Sequence, residues 1–190
     1  PSVYANILTY PMAGQNPVQQ VIVAGEVCPE SLTKTHYADD NWQQVQLVNE
    51  YGPTEGSVWA SYYDCVDYIE QGRSGSVSIG HNAPHVALYV LDEQMQLAPT
   101  GVTGELYIGG PGVARGYLNQ PQLTEQRFLP NPFVPESNAR LYKTGDLVRW
   151  DQQGALEYIG RQDGQIKIRG YRVELSEIEA ALLRLDNVHA

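Results

Sequence analysis

An α/β fold that passes into a β-rich, barrel-like subdomain is the architecture this 190-residue sequence predicts. Three observations predict it. In the first part of the chain two strand-like runs, QQVIVAGE and VQLVNEYG, alternate with helical patterns. From residue 58 onward strand follows strand, as VWASYYDCV, HVALYVLD, GELYIGG, RLYKTGDLVRW and ALEYIG, with Gly, Pro and Asn clusters between them. A hydrophobic content of 42% is enough to bury a core beneath these elements.

The elements follow in order. Residues 2–10, SVYANILTY, read as a helix. After a loop holding Pro11, Gly14 and Pro17, residues 19–24 form an apolar run expected to be a buried strand, ending at Gly25, and ligands favour such strand ends. A second helix is expected to start near Pro29 and Glu30, and a second strand, 45–49, runs into the turn GPTEG. The last unit, QIKIRGYRVELSEIEAALLRL, predicts a hairpin around Gly170 and then a helix with Ile178, Leu182 and Leu185 on one face. Ser176 is placed as its N-cap, with Glu179 three residues on. That unit begins a new module, with the boundary near Asp163 and Gly164, dividing the chain into 1–162 and 163–190. No internal repeat or low-complexity tract interrupts this order.

Charge and composition narrow the function. A net charge of −10 argues against nucleic acid as a main partner, because phosphate backbones are held by clustered Lys and Arg. Cys28 and Cys65 have neither CxxC spacing nor a paired His, so neither a zinc site nor a disulfide framework is expected. No apolar run approaches the ~20 residues that span a bilayer, which predicts a cytoplasmic protein without a membrane partner. The chain opens on Pro1 and closes soon after a helix, and both ends are expected to be cut edges of a larger protein.

Three clusters carry candidate chemistry. In Thr144-Gly145-Asp146 a carboxylate follows glycine at an expected sharp bend in a strand; alone it reads as readily as a turn. In EYGPTEG, Pro53 presets a turn while Gly52 and Gly56 allow close backbone approach, leaving Tyr51, Thr54 and Glu55 to face a ligand. An aromatic face can stack on a base, a hydroxyl can bond a phosphate oxygen and a carboxylate can hold Mg2+. Arg161 offers a planar fork suited to oxyanions, with Tyr158 just before it; a surface ion pair and a core aromatic are the plainer readings. Lys167 sits in an alternating strand with Gln165 and Arg169 on its side, as a solvated face also would. The glycine-dense GELYIGGPGVARGYL lacks the GK[ST] ending of a phosphate loop and is expected to build the β subdomain without supplying catalytic groups.

Taken together, NEYGPTEG, YKTGDL and GRQDGQIKIRGYRVELSEIE resemble the amino-acid-activating adenylation domains of nonribosomal peptide synthetases, within the adenylate-forming superfamily. The resemblance covers most of the chain and implies part of the adenylate-forming fold: the second half of the large subdomain and the start of the small one. It implies ATP and Mg2+ as cofactors and an amino acid as substrate. It assigns Asp146 to the ribose hydroxyls, Tyr51 to adenine, Thr54 to phosphate and Glu55 to Mg2+. Arg161 falls to the ribose and α-phosphate, Tyr158 and Gly25 to the nucleotide pocket, Lys167 to catalysis and Asp163 to the hinge. Carried over by position, the amino-acid pocket comprises Ile22, Ala24, Glu50, Val58 and Trp59, which favours a compact or polar side chain. The implied partners are a carrier domain bearing phosphopantetheine and a condensation domain of the same assembly line. The family's Ser/Thr/Gly-rich phosphate loop and its late lysine are absent from the sequence, so the chain by itself is expected to bind nucleotide weakly at most. The nearest alternatives are an acyl-CoA or aryl-CoA synthetase of the same superfamily and a noncatalytic interaction remnant.

Overall fold

The computed structural model describes residues 1–11, 16–135, 138–163, 165–168 and 171–184. The first half is built on a four-stranded sheet in the order β1-β2-β3-β4, from β1 (Gln20–Ala24), β2 (Gln46–Tyr51), β3 (Ser61–Asp64) and β4 (His81–Asn82). β1 and β2 are parallel and joined through helix α2 (Glu30–Ala38), a βαβ unit; the other pairings are antiparallel. Pro29 lies extended just before α2, and the helix buries Leu32, Thr33 and His36 on one face. Helix α1 (Ser2–Ile7) adds Tyr4 to the same core, beside Val23, Trp42 and Leu47. Cys28 and Cys65 are both free and buried in that core.

Two corrections to the expected elements come from local chemistry. The run 58–66 is not one strand. Ser57 and Val58 hold left-handed backbone (φ 62° and 72°), so the strand starts only at Ser61. It stops at Asp64, whose carboxylate accepts from the Val66 N–H at 3.1 Å and caps helix α3 (Cys65–Glu70). Helix α4 (Pro121–Arg127), unforeseen in the sequence, begins with proline at its first turn, where a missing N–H costs nothing.

The β-rich half is a five-stranded sheet of β5 (Ala87–Leu91), β6 (Gly104–Gly109), β7 (Phe128–Pro130), β8 (Arg140–Trp150) and β9 (Leu156–Arg161). β8 is the long central strand. It pairs with β6 on one edge, and on the other with β7 near its start and β9 near its end. Among the described residues this sheet stays open rather than closing into a barrel. The halves are joined by the segment 77–80, which crosses to β9: Ile79 N–H donates to the Leu156 carbonyl at 2.9 Å and Leu156 N–H to that of Gly80 at 2.8 Å. β10 (Gln165–Ile168) and β11 (Tyr171–Glu174) form a separate antiparallel pair, followed by α5 (Leu175–Leu182). On α5, Ile178 and Leu182 are exposed. Gly164, Gly170 and Leu185 lie outside the described residues, as does the side chain of Ser176.

Candidate functional site

β2 delivers Tyr51 to the carboxyl end of the parallel pair, and β8 and β9 bring Asp146 and Arg161 to it from the other half. The bend carrying Asp146 is a bulge. Across Leu106 of β6 the register jumps, so residues 144–146 of β8 oppose a single position. Thr144 holds the bulge closed: its hydroxyl donates to the Leu106 carbonyl at 2.7 Å and accepts from Asp146 N–H at 2.9 Å. Gly145 N–H donates to Glu105 Oε1 at 3.0 Å. Gly145 has φ +78°, which favours glycine, and a Cβ there would meet Asp163 Oδ2 at 2.8 Å and Arg161 Nη2 at 2.9 Å, so a larger residue would push one of these side chains aside.

Asp146 is buried and engaged on both oxygens. Tyr51, 95 residues away, donates its hydroxyl to Oδ2, and Arg161 Nη1 donates to Oδ1 at 2.7 Å. Arg161 also grips Asp163 through Nε at 2.7 Å and Nη2 at 2.8 Å, and reaches the Thr144 carbonyl at 3.1 Å. Arg127 of α4 adds a longer contact to Asp163 at 3.4 Å. Electrostatics follow the geometry. Burial, and then the Asp146 carboxylate, push the Tyr51 phenol far above its usual range, so it remains a hydroxyl donor. Burial would lower Arg161, but hydrogen bonding to Asp163 and the charge of Asp146 raise it instead. Hydrogen bonding from Arg161 holds Asp163 below the usual carboxylate range against its burial.

These residues wall a cleft with two chambers of about 490 and 150 Å³. Gly25, Tyr51, Gly52, Arg161 and Gln165 line both. Glu50 and Tyr158 line the larger; Thr54 and Asp146 line the smaller. Burial, and then Asp146, push Tyr158 up to about 12, and burial raises Glu50. Glu55 lies in the 3₁₀ turn Thr54–Gly56, buried, and is in the wall of neither chamber; Tyr117 donates its hydroxyl to Glu55 Oε1 at 2.6 Å.

The residues assigned to the amino-acid pocket are spread wider. Ala24, Glu50 and Tyr62 stand in one row across β1, β2 and β3, and Trp59 leans on Tyr62 with ring centroids 6.0 Å apart. Ile22 and Ala24 line a groove against α1 that shares Glu26 with the larger chamber, and Val58 is 73% exposed. Lys167 sits in β10 opposite Arg172, and its side chain lies outside what is described. Glu105 and Tyr117 were not foreseen. They reach the site across 40 and 62 residues, and no local spacing signals such contacts.

Residues 1–118 match the family of AMP-binding enzymes. The chain is 48% identical over 168 residues to tyrocidine synthase 3 of Brevibacillus parabrevis, which covers 88% of the chain and 2% of that protein. It is 46% identical over 178 residues to bacitracin synthase 3 of Bacillus licheniformis, covering 93% of the chain and 3% of that protein. Among solved structures it is similar to PA1221, an NRPS protein containing adenylation and PCP domains, with TM-score 0.80, 31% identity, and coverage of 88% of the chain and 33% of PA1221. It is also similar to the Vibrio cholerae adenylation domain AlmE in complex with glycyl-adenosine-5'-phosphate, with TM-score 0.78, 30% identity, and coverage of 90% of the chain and 31% of AlmE. The chain thus spans a few per cent of these synthetases and about a third of these solved chains.

Proposed function

The chain belongs to the AMP-binding enzyme family, among the adenylation domains of nonribosomal peptide synthetases, and from that premise we propose that it is part of an enzyme that activates an amino acid with ATP. The substrate carboxylate attacks the α-phosphorus, the bond to pyrophosphate breaks, and aminoacyl-AMP forms. The thiol of a phosphopantetheine-bearing carrier domain then attacks the acyl carbon, giving a thioester and releasing AMP. Positioning and charge stabilisation carry most of such a reaction.

The observation that supports this reading best is the buried Asp146 carboxylate, accepting from the Tyr51 hydroxyl and from Arg161 in the wall of the cleft. The Tyr51 hydroxyl makes the kind of bond a ribose hydroxyl would make, and nucleotide binding exchanges one donor for another. Arg161, anchored by Asp163, supplies a fixed cation for the ribose and α-phosphate. Tyr51 and Tyr158 offer ring faces for adenine beside Gly25, and Thr54 offers a hydroxyl for phosphate. In this reading the amino-acid side falls to Ile22, Ala24, Glu50, Val58 and Trp59, of which Glu50 lines the cleft, and Lys167 acts in the small module.

Glu55 fits Mg2+ by its chemistry. It is a single buried oxygen donor next to the wall residue Thr54, and Mg2+ is commonly held by one or two carboxylates together with substrate phosphates. Among the described residues no group of three or more His, Cys, Asp or Glu could cage a metal by itself, which suits a cation delivered with the triphosphate. When bound, Mg2+ would neutralise phosphate charge.

Asp163 is the hinge in this reading, dividing 1–162 from 163–190. The separate β10–β11 sheet favours a module that turns about it. A carrier domain and a condensation domain are the partners this implies. No described helix is long and apolar enough to cross a membrane.

The test is amino-acid-dependent exchange of labelled pyrophosphate into ATP by a complete adenylation domain containing this chain. Exchange with one amino acid supports the reading and names the substrate. Exchange only with a fatty or aryl acid refutes it in favour of the acyl-CoA ligase branch. The 190 residues alone should show nearly none, and a rate matching the complete domain would refute that.

A further inference from the structure

We propose that Tyr117 is a positioning residue for Glu55, giving the glycine-dense segment 104–118 a direct part in preparing the metal-binding carboxylate. This rests on the reading of Glu55 as the Mg2+ ligand. Tyr117 donates its hydroxyl to Glu55 Oε1 at 2.6 Å. The same stretch binds the turn at two further points: Ala114 N–H donates to the Glu55 carbonyl at 2.8 Å, and Ser57 Oγ donates to the Gly112 carbonyl at 2.6 Å. Glu55 is therefore tied through both its main chain and its side chain to one neighbouring segment.

That segment is itself clamped. Arg140 on β8 donates to the carbonyls of Ala114 at 2.7 Å and Arg115 at 2.8 Å, and its guanidinium stands over the Phe128 ring at 5.6 Å. The Tyr117 ring meets Phe128 edge-on, with centroids 5.4 Å apart, and its N–H donates to Thr124 Oγ1 at 2.9 Å. Gly116, at φ +142°, permits this approach, since a Cβ there would lie 2.4 Å from Thr124 Cγ2. A neutral phenol on a rigid mount can hold a carboxylate in one rotamer without bringing a competing cation. Outer-shell donors of this kind typically change metal affinity or activity about 10–100-fold when removed.

The experiment measures ATP affinity by calorimetry, with Mg2+ and with EDTA, in a complete adenylation domain containing this chain. Tyr117→Phe keeps the ring against Phe128 and removes only the hydroxyl. It should cut the affinity gained from Mg2+ by about tenfold while leaving metal-free ATP binding near wild type. Phe128→Leu, which loosens the same packing but keeps the hydroxyl, should lower the melting temperature and retain the Mg2+ gain. If Glu55→Gln loses the gain and Tyr117→Phe keeps it, Tyr117 only fills space and the inference is overturned. If Phe128→Leu loses the gain as Tyr117→Phe does, packing rather than the hydroxyl is responsible, and the inference is again overturned. If Glu55→Gln itself keeps the gain, the magnesium reading of Glu55 fails first, and the inference with it.

Discussion

Asp146 is the residue on which the site turns, because one buried carboxylate receives a phenol and a guanidinium from different elements. Asp146→Asn would place an amide N–H₂ against one of those donors and remove the charge that strengthens both bonds. A charge-assisted hydrogen bond contributes about 1.5–3 kcal/mol, so ATP affinity in a complete domain should fall at least roughly tenfold, as a calorimetric titration would register. An affinity within a factor of two of wild type would rule out the ribose role. Gly145→Ala acts on the same carboxylate indirectly. Left-handed backbone costs a side-chain-bearing residue about 1–2 kcal/mol, and the new Cβ would displace Arg161 or Asp163. The variant should melt earlier and bind ATP more weakly; an unchanged melting temperature would mean that the bend can relax.

At the scale of elements, β8 organises the molecule: one strand pairs with three others and carries the bulge that turns Asp146 toward the cleft. Helix α2 is tied down differently, through a buried histidine. His36 Nε2 donates to the Val45 carbonyl at 2.7 Å, so Nδ1 is the acceptor for the Tyr4 hydroxyl at 2.6 Å. Burial holds His36 below its usual value. An unfolded histidine takes up its proton near pH 6.5, so below that pH the unfolded chain binds a proton that the folded chain resists. The stability from neutral His36 is complete above about pH 6.5 and is lost as the pH falls toward the folded value. Asp163, held low by Arg161, keeps its full contribution above about pH 4 and loses it as the pH falls from there toward the folded value, so the two windows separate. Thermal melts from pH 7.5 to 5 should decline in the wild type and flatten in His36→Gln. Parallel curves would assign the decline elsewhere.

Across the whole molecule, the two halves meet through the segment 77–80 against β9, through Tyr51 on Asp146 and Tyr117 on Glu55, and through Arg73. The Arg73 guanidinium donates to Asp151 at 2.7 Å and Glu157 at 2.6 Å, with the Arg73 and Asp151 side chains 19% and 8% exposed. Arg73→Ala would take this cation from the buried Asp151, while Glu157 keeps Arg149 at 2.7 Å. Breaking a buried pair by removing one partner costs about 3–5 kcal/mol, and partial exposure here reduces that to roughly 2–3 kcal/mol. Chemical denaturation should report the loss, and a change below about 0.5 kcal/mol would show that Arg73 adds little to the joint between the halves.

By itself the sequence determined the α/β-to-β grammar and the residues that meet at the cleft, because period, turn chemistry and the motifs around Tyr51, Asp146 and Arg161 are written in consecutive residues. Its reading of 58–66 as one strand failed where two left-handed residues and an aspartate cap overrode β propensity, both effects of backbone and hydrogen-bond geometry. It passed over α4, whose short polar turn carries no apolar stripe. Only the tertiary structure decided that the β-rich sheet stays open among the described residues, that Asp146 is already engaged by Tyr51 and Arg161, and that Glu105 and Tyr117 bond Gly145 and Glu55. Those contacts join residues 15 to 95 positions apart, and a single chain of letters carries no distance between them.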